Sequence, residues 1–234
     1  MSLETVRFNY LTLQPGQRLL DLGCGEGRHA ISACLQEQVV SVGIDLKLDD
    51  IVTTRKRYLE IADQQTPGQL VLSVSSGDRL PFADNTFDQV ICSEVLEHIP
   101  NYEQVLMEID RVLKPDGRLA ISVPRYWTEW VCWRLSSAYH EVEGGHIRIF
   151  KTTALIREIE TLGFKKRKQH WAHALHVPYW WLKCLFWGKE DPWVLRLYHR
   201  FLVWDLMSAP AVTHWLEKLL NPILGKSVVL YFDR

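Results

Sequence analysis

Between Leu19 and Ala30 an apolar run, Leu19-Leu20-Asp21-Leu22, breaks into glycines at alternate positions, Gly23, Gly25 and Gly27, and resumes as Arg28-His29-Ala30-Ile31. The run is short enough for a buried parallel strand, and the residues after the glycines suit a helix start. Strand, tight glycine turn and helix make the first unit of an open α/β sheet, where ligands sit at the carboxyl ends of the strands. A Cβ there would obstruct both the turn's dihedrals and the close approach of backbone to a ligand. The spacing is G-x-G-x-G, unlike the G-x-G-x-x-G of a dinucleotide site, and Asp21 precedes the first glycine. A carboxylate at that point is wrong for a pyrophosphate and right for a cationic amino-acid end. The stretch reads as a ligand loop.

The rest of the chain continues the same rhythm. A crossover helix over Ala30 to Gln36 leads to a second strand, Val39 to Asp45, which ends in a carboxylate about 20 residues past the glycine turn, where such sheets hold a ribose diol. A solvated helix over Asp49 to Ile61 precedes a third strand, Gln69 to Val74, and a fourth follows over Thr86 to Ser93. A helix over Tyr102 to Leu113 stops at Lys114-Pro115-Asp116-Gly117, a turn by its Pro and Gly. Arg118 to Val123 is the fifth strand, Thr153 to Leu162 a helix, Phe164 to His170 the sixth strand and Ser227 to Phe232 the last. Strands alternating with helices predict an α/β, doubly wound, mostly parallel sheet of seven strands in a single domain over residues 1–234.

A net charge of −1 with 24% charged residues provides no field to hold a polyanion, so nucleic acid is not an expected partner. The five cysteines are scattered without a C-x-x-C, which reads as reduced thiols rather than a disulfide frame or zinc site. Met1 to Tyr10 has no apolar leader segment, and no run approaches the roughly 18 apolar residues of a membrane span, so a cytoplasmic protein is expected.

In order, L-D-L-G-C-G-E-G, V-G-I-D, G-D-R-L-P-F-A-D-N-T-F-D, V-I-C-S-E-V-L-E-H-I and V-L-K-P-D-G-R-L-A-I-S-V-P span Leu19 to Pro124 almost continuously. The chain thereby resembles the class I S-adenosylmethionine-dependent methyltransferases of the small-molecule, type 11-like kind, whose last strand is antiparallel in a Rossmann-like sheet. The resemblance implies that residues 1–125 bind the cofactor. Asp21, Gly23 and Gly25, with Cys24 and Gly27 of the same loop, would hold its methionine end. Asp45 and Leu46 would hold the ribose and the adenine edge, and Ser93 would line the carboxypropyl chain. The family's acidic partner for the adenine amino group is replaced here by Ser76, with Asp78 the nearest carboxylate and Gly77 between them. Either residue can serve.

Catalytic groups are sought after the fourth and fifth strands. Glu94-Val95-Leu96-Glu97-His98 resembles the divalent-metal motif of certain O-methyltransferases, and in a helix Glu94, Glu97 and His98 share one face. With His146 they form a candidate site for Mg²⁺ or Zn²⁺. Without a metal, His146, Glu143 and His98 are candidate acid–base residues, and a purely structural His146 stands beside both readings. Trp127, Trp130 and Trp133 recur at helical spacing. Trp171 to Lys226 forms a long helical, Trp-rich insertion before the last strand. Residues 126–150 and 171–226 are therefore expected to cover the acceptor. The aromatics fit a second core, an apolar acceptor site, a peripheral membrane contact centred on Ala174 to Gly188, or a homodimer interface. The expected activity is O-methylation of a hydroxyl on an apolar, lipid-, quinone- or sugar-like small molecule. C- or N-methylation and a non-catalytic cofactor-binding module are the alternatives.

Overall fold

The computed structural model describes residues 4–63, 65–142 and 144–234. A short helix α1 (Phe8–Leu11) leads into β1 (Arg18–Leu22), α2 (Arg28–Gln36), β2 (Val40–Asp45), α3 (Leu48–Ile61), β3 (Gln69–Val74) and β4 (Phe87–Ser93). Then come α4 (Tyr102–Val112), β5 (Leu113–Pro124), α5 (Tyr126–Leu135), α6 (Ala138–Glu141), α7 (Thr152–Thr161) and β6 (Lys165–Ala172). After β6 stand α8 (Val177–Leu185), α9 (Trp193–Ser208) and α10 (Ala211–Leu224), and β7 (Ser227–Asp233) closes the sheet.

The strands lie in the order β3-β2-β1-β4-β5-β7-β6, with β7 antiparallel to both its neighbours and the other pairs parallel. Helices on both faces explain why the central strands are apolar at nearly every position. Alternate residues enter different cores. Leu20, Val90, Ile121 and Leu230 join one cluster, whereas Leu19, Ile91, Ala120 and Val229 pack with Phe8 and Leu11 on the other face. The chain order reverses between β1 and β4, so their carboxyl ends, Leu22 and Ser93, open the crevice where such sheets take ligands.

Three sequence expectations are adjusted. Lys114 to Gly117 fall within the irregular start of β5, where Phe87 pairs with Leu113 before the register shifts. Strand β6 runs to Ala172, so Trp171 is a strand residue paired with Val228, and the insertion begins at His173. Glu94 to His98 is not an α-helix: Glu94 has φ of 57°, and only Leu96–His98 make a 3₁₀ turn. A left-handed residue cannot continue a right-handed helix, so the shared face of three ligands does not form as the spacing implied.

The tryptophans divide. Trp133, Trp180, Trp181 and Trp187 pack around Cys132, Tyr139 and Cys184 as a small third core between α5 and α8. Trp193, Trp204 and Trp215 of α9 and α10 are instead exposed.

Candidate active site

The loop after β1 is built on backbone conformations that only glycine adopts cheaply. Gly23 has φ of 69°, and a Cβ on it would lie 2.4 Å from Val95 Cγ2; at Gly27, with φ of 84°, a Cβ would lie 2.4 Å from Thr54 Cγ2. A Cβ on Gly25 would meet nothing within 4 Å, so this turn of the loop faces open space. Asp45 at the end of β2 ties the loop down. Its Oδ2 accepts from the Gly25 N–H at 2.8 Å and its Oδ1 from the Lys47 N–H at 3.0 Å.

Two cavities meet at this loop, both walled by Gly23, Gly25 and Glu94. The smaller, about 340 Å³, is also lined by Asp45, Leu46, Ser75, Gly77 and His98. The larger, about 690 Å³, takes in Cys24, Gly27, Arg28, His29 and Ser93. Leu46 is 65% exposed, an apolar side chain left free at the rim. Ser76 donates to Asp78 Oδ1 at 2.5 Å, so the two candidates for an adenine contact are bonded to each other, outside either wall.

Asp21 also lies outside both walls. It is 1% exposed beneath the loop, and its Oδ2 accepts from the Ala30 N–H at 2.9 Å in the first turn of α2. It works here as a helix-terminal acceptor for an otherwise unpaired amide. Burial pushes its carboxyl up to about 7, against the Ala30 N–H and the Arg28 charge. His29, its neighbour at 4.0 Å, is pushed down to about 3 by burial, so the two do not form an ion pair near neutrality. Between the ordinary carboxylate value near ~4 and about 7, the folded chain keeps a proton that the unfolded chain has released. Stability therefore falls as pH rises through that window, by about 4 kcal/mol at most. Asp21→Asn keeps an acceptor for Ala30 and removes this cost. Thermal unfolding should show the variant gaining stability over the parent at pH 8 and not at pH 4. A parent that is the more stable at pH 8 would contradict the buried-carboxyl reading.

On the acceptor side, the candidates separate. The Glu94 carboxylate turns to the sheet, accepting from Ser122 Oγ at 2.9 Å and lying 3.5 Å from Lys226 Nζ. Ser122 Oγ also shares a contact of 2.8 Å with Ser93 Oγ. Glu97, His98 and His146 do converge, their ligating atoms lying within 4.8 Å of one another. Glu97 is fully buried, both its oxygens lack a hydrogen-bond partner among the described residues, and burial pushes its carboxyl well up. His98 meets the Gly145 carbonyl through Nδ1 at 3.2 Å; partial burial and then His146 lower its basicity. Glu143 lies outside the described residues.

The decisive partner of His146 is Glu129, which the sequence reading passed over. The His146 Nδ1 sits 2.5 Å from Glu129 Oε1. Glu129 is 3% exposed and also accepts from Trp133 Nε1 at 3.2 Å and the Tyr139 hydroxyl at 3.3 Å. Burial raises its carboxyl, but His146, Lys226 and Trp133 together outweigh this and hold it below the usual range. The one available signal was an acid inside the aromatic run Trp127-Thr128-Glu129-Trp130, where a solvated helix face would not need it.

Residues 3–169 match the family described as methyltransferase domain. The chain is 35% identical over 111 residues to the 27-O-demethylrifamycin SV methyltransferase of Amycolatopsis mediterranei, covering 47% of this chain and 40% of that one. It is 37% identical over 119 residues to the demethylmenaquinone methyltransferase of Lactobacillus johnsonii, covering 49% and 46%. The match thus spans somewhat under half the length of these relatives. The fold matches a SAM-dependent methyltransferase structure from Methanosarcina mazei with a TM-score of 0.64 at 16% identity, over 100% of this chain and 99% of that one.

Proposed function

From the fact that the chain belongs to the methyltransferase-domain family, as a class I S-adenosylmethionine-dependent enzyme, we propose that it methylates a hydroxyl on an apolar, quinone- or lipid-like small molecule. The Glu129–His146 contact beside the aromatic core carries this reading. When bound, the cofactor supplies an electrophilic methyl on a sulfonium whose leaving group is neutral. The glycine loop and Asp45 would hold it, and what the acceptor side must add is orientation and a place for the hydroxyl proton.

His146 is arranged for that. With Nδ1 donating to Glu129, Nε2 is left to take the proton, and the Glu129 charge steadies the imidazolium that results. Three donors converge on Glu129, which keeps it ionised inside an apolar surround. Trp180 and Trp181 close with Glu129 and Tyr139 around a space of only about 10 Å³, too small for an acceptor, so these aromatics pack as core. One relative is named for demethylmenaquinone and another for 27-O-demethylrifamycin SV.

A second reading rests on the unpartnered Glu97 oxygens. Glu97, His98 and His146 offer a donor set that Mg²⁺ or Zn²⁺ would accept, and an ion there would acidify the hydroxyl directly. Glu94 would not join it.

The acceptor's source is suggested by α9 and α10. Trp193, Met207, Trp215 and Ile223 are 61–78% exposed. Among residues 192–224 the only acids, Asp205 and Glu217, are buried or half-buried, while Arg200 and Lys218 are exposed. Exposed apolar side chains with exposed cations on the same helices suit an anionic membrane surface. A second copy of the chain would set these cations against each other. Helix α8, within the segment singled out for membrane contact, is largely taken up by the third core. No helix among the described residues is long and apolar enough to cross a membrane.

The test is transfer of labelled methyl to a hydroxylated quinone held in detergent, in neutral vesicles or in anionic vesicles, each with and without EDTA. Transfer fastest from anionic vesicles is expected. Loss with EDTA that Mg²⁺ restores would replace the histidine base by the metal reading. Transfer to amines alone would overturn the hydroxyl assignment.

A further inference from the structure

A second group of ligating side chains stands away from the methyl-transfer residues, where the insertion folds back on the N-terminal segment. His173, His176 and Glu217 place their ligating atoms within 4.8 Å of one another. His173 begins the insertion directly after β6, His176 ends a 3₁₀ turn three residues later, and Glu217 comes from the middle of α10. We propose that these three side chains bind one divalent transition-metal ion of the zinc class, which fastens the insertion to the end of the sheet.

Unsatisfied polar atoms point to a ligand. His176 Nδ1 and Glu217 Oε1 are buried with no hydrogen-bond partner among the described residues. So is Oδ1 of Asp205, a residue only 3% exposed whose charge bears on both His176 and Glu217. Three such atoms around one spot is a costly arrangement unless something fills it. His173 adds a strained backbone, with φ of 64° outside the glycine-favoured exceptions. Its Nε2 meets Thr5 Oγ1 at 3.0 Å, an outer contact of the kind that orients a metal-binding imidazole and leaves Nδ1 for the ion.

The donor chemistry narrows the ion. Two imidazoles and a carboxylate suit zinc and its neighbours, whereas calcium and magnesium prefer oxygen alone. Glu217 adds a carboxyl donor and Asp205 a second carboxyl close by, facing the cations Lys226 and Arg28. Three protein donors leave a position for water, and the elements joined are the end of β6, the turn after it and α10.

The experiment is metal analysis of full-length protein stripped with chelator and then titrated with Zn²⁺, with Co²⁺ absorption as the coordination readout. The stripped parent should take up one zinc ion per chain at this site, indifferent to His146→Ala, and its unfolding midpoint should rise with zinc. His176→Ala and the shape-preserving Glu217→Gln should each weaken that binding by at least about 100-fold, since loss of outer partners alone costs up to that much. Circular dichroism at matched temperature shows that the variants are folded. Zinc binding that survives Glu217→Gln, or that is lost with His146→Ala, would overturn the proposal, as would a parent chain that binds none.

Discussion

His146→Ala is expected to lower turnover by about 10²–10⁴-fold while leaving S-adenosylmethionine affinity unchanged, the range by which a positioned base accelerates a proton transfer. The separation follows from place: His146 meets Glu129 and the rings of His98 and Tyr139, and it lines neither cavity at the glycine loop. Steady-state kinetics with calorimetry of the cofactor measures both halves. The loss should shrink as the acceptor hydroxyl becomes more acidic, because a phenol that ionises readily needs less help. Glu129→Gln keeps the shape and removes the charge, so it should depress kcat with little effect on KM for either substrate. An unchanged turnover in His146→Ala would return that residue to a packing role, and an equal loss across acceptors of different acidity would argue against proton transfer.

Asp45→Ala is expected to weaken cofactor binding by roughly 10- to 150-fold, the equivalent of about 1.5–3 kcal/mol for charge-assisted hydrogen bonds. Its two oxygens already accept from Gly25 and Lys47 amides, so the substitution removes a ribose acceptor and frees the loop at once. The remaining lone pairs are what a ribose diol would engage. Calorimetry with S-adenosylmethionine and its demethylated product should show both weakened alike, since the methyl is remote from the ribose. Undiminished affinity for both would remove Asp45 from the cofactor site.

The sheet and the ligand loop were legible in the amino-acid order because they rest on local rules. Apolar runs buried on two faces, glycines at positive φ and a carboxylate ending the second strand are properties of neighbouring residues. The motifs from Leu19 to Pro124 therefore identified the family and the crevice at the carboxyl ends of β1 and β4. Side-chain direction was not legible in the same way. Asp21 reads as a ligand contact and is taken by the Ala30 amide; Glu94 reads as one of three ligands on a helix, and its left-handed backbone turns it to Ser122 and Lys226. The tryptophans recur without any sign of which are packed and which are exposed.

What the sequence determined by itself was the α/β sheet, the glycine loop and membership of a methyltransferase family. Tertiary structure alone decided that Glu129 meets His146, that the buried Glu97 carboxyl has no hydrogen-bond partner among the described residues, and that His173, His176 and Glu217 share a corner. The reason is physical. Local backbone preference acts over a few residues, whereas a buried carboxylate finds its partner wherever the fold brings one, and desolvation makes that choice binding.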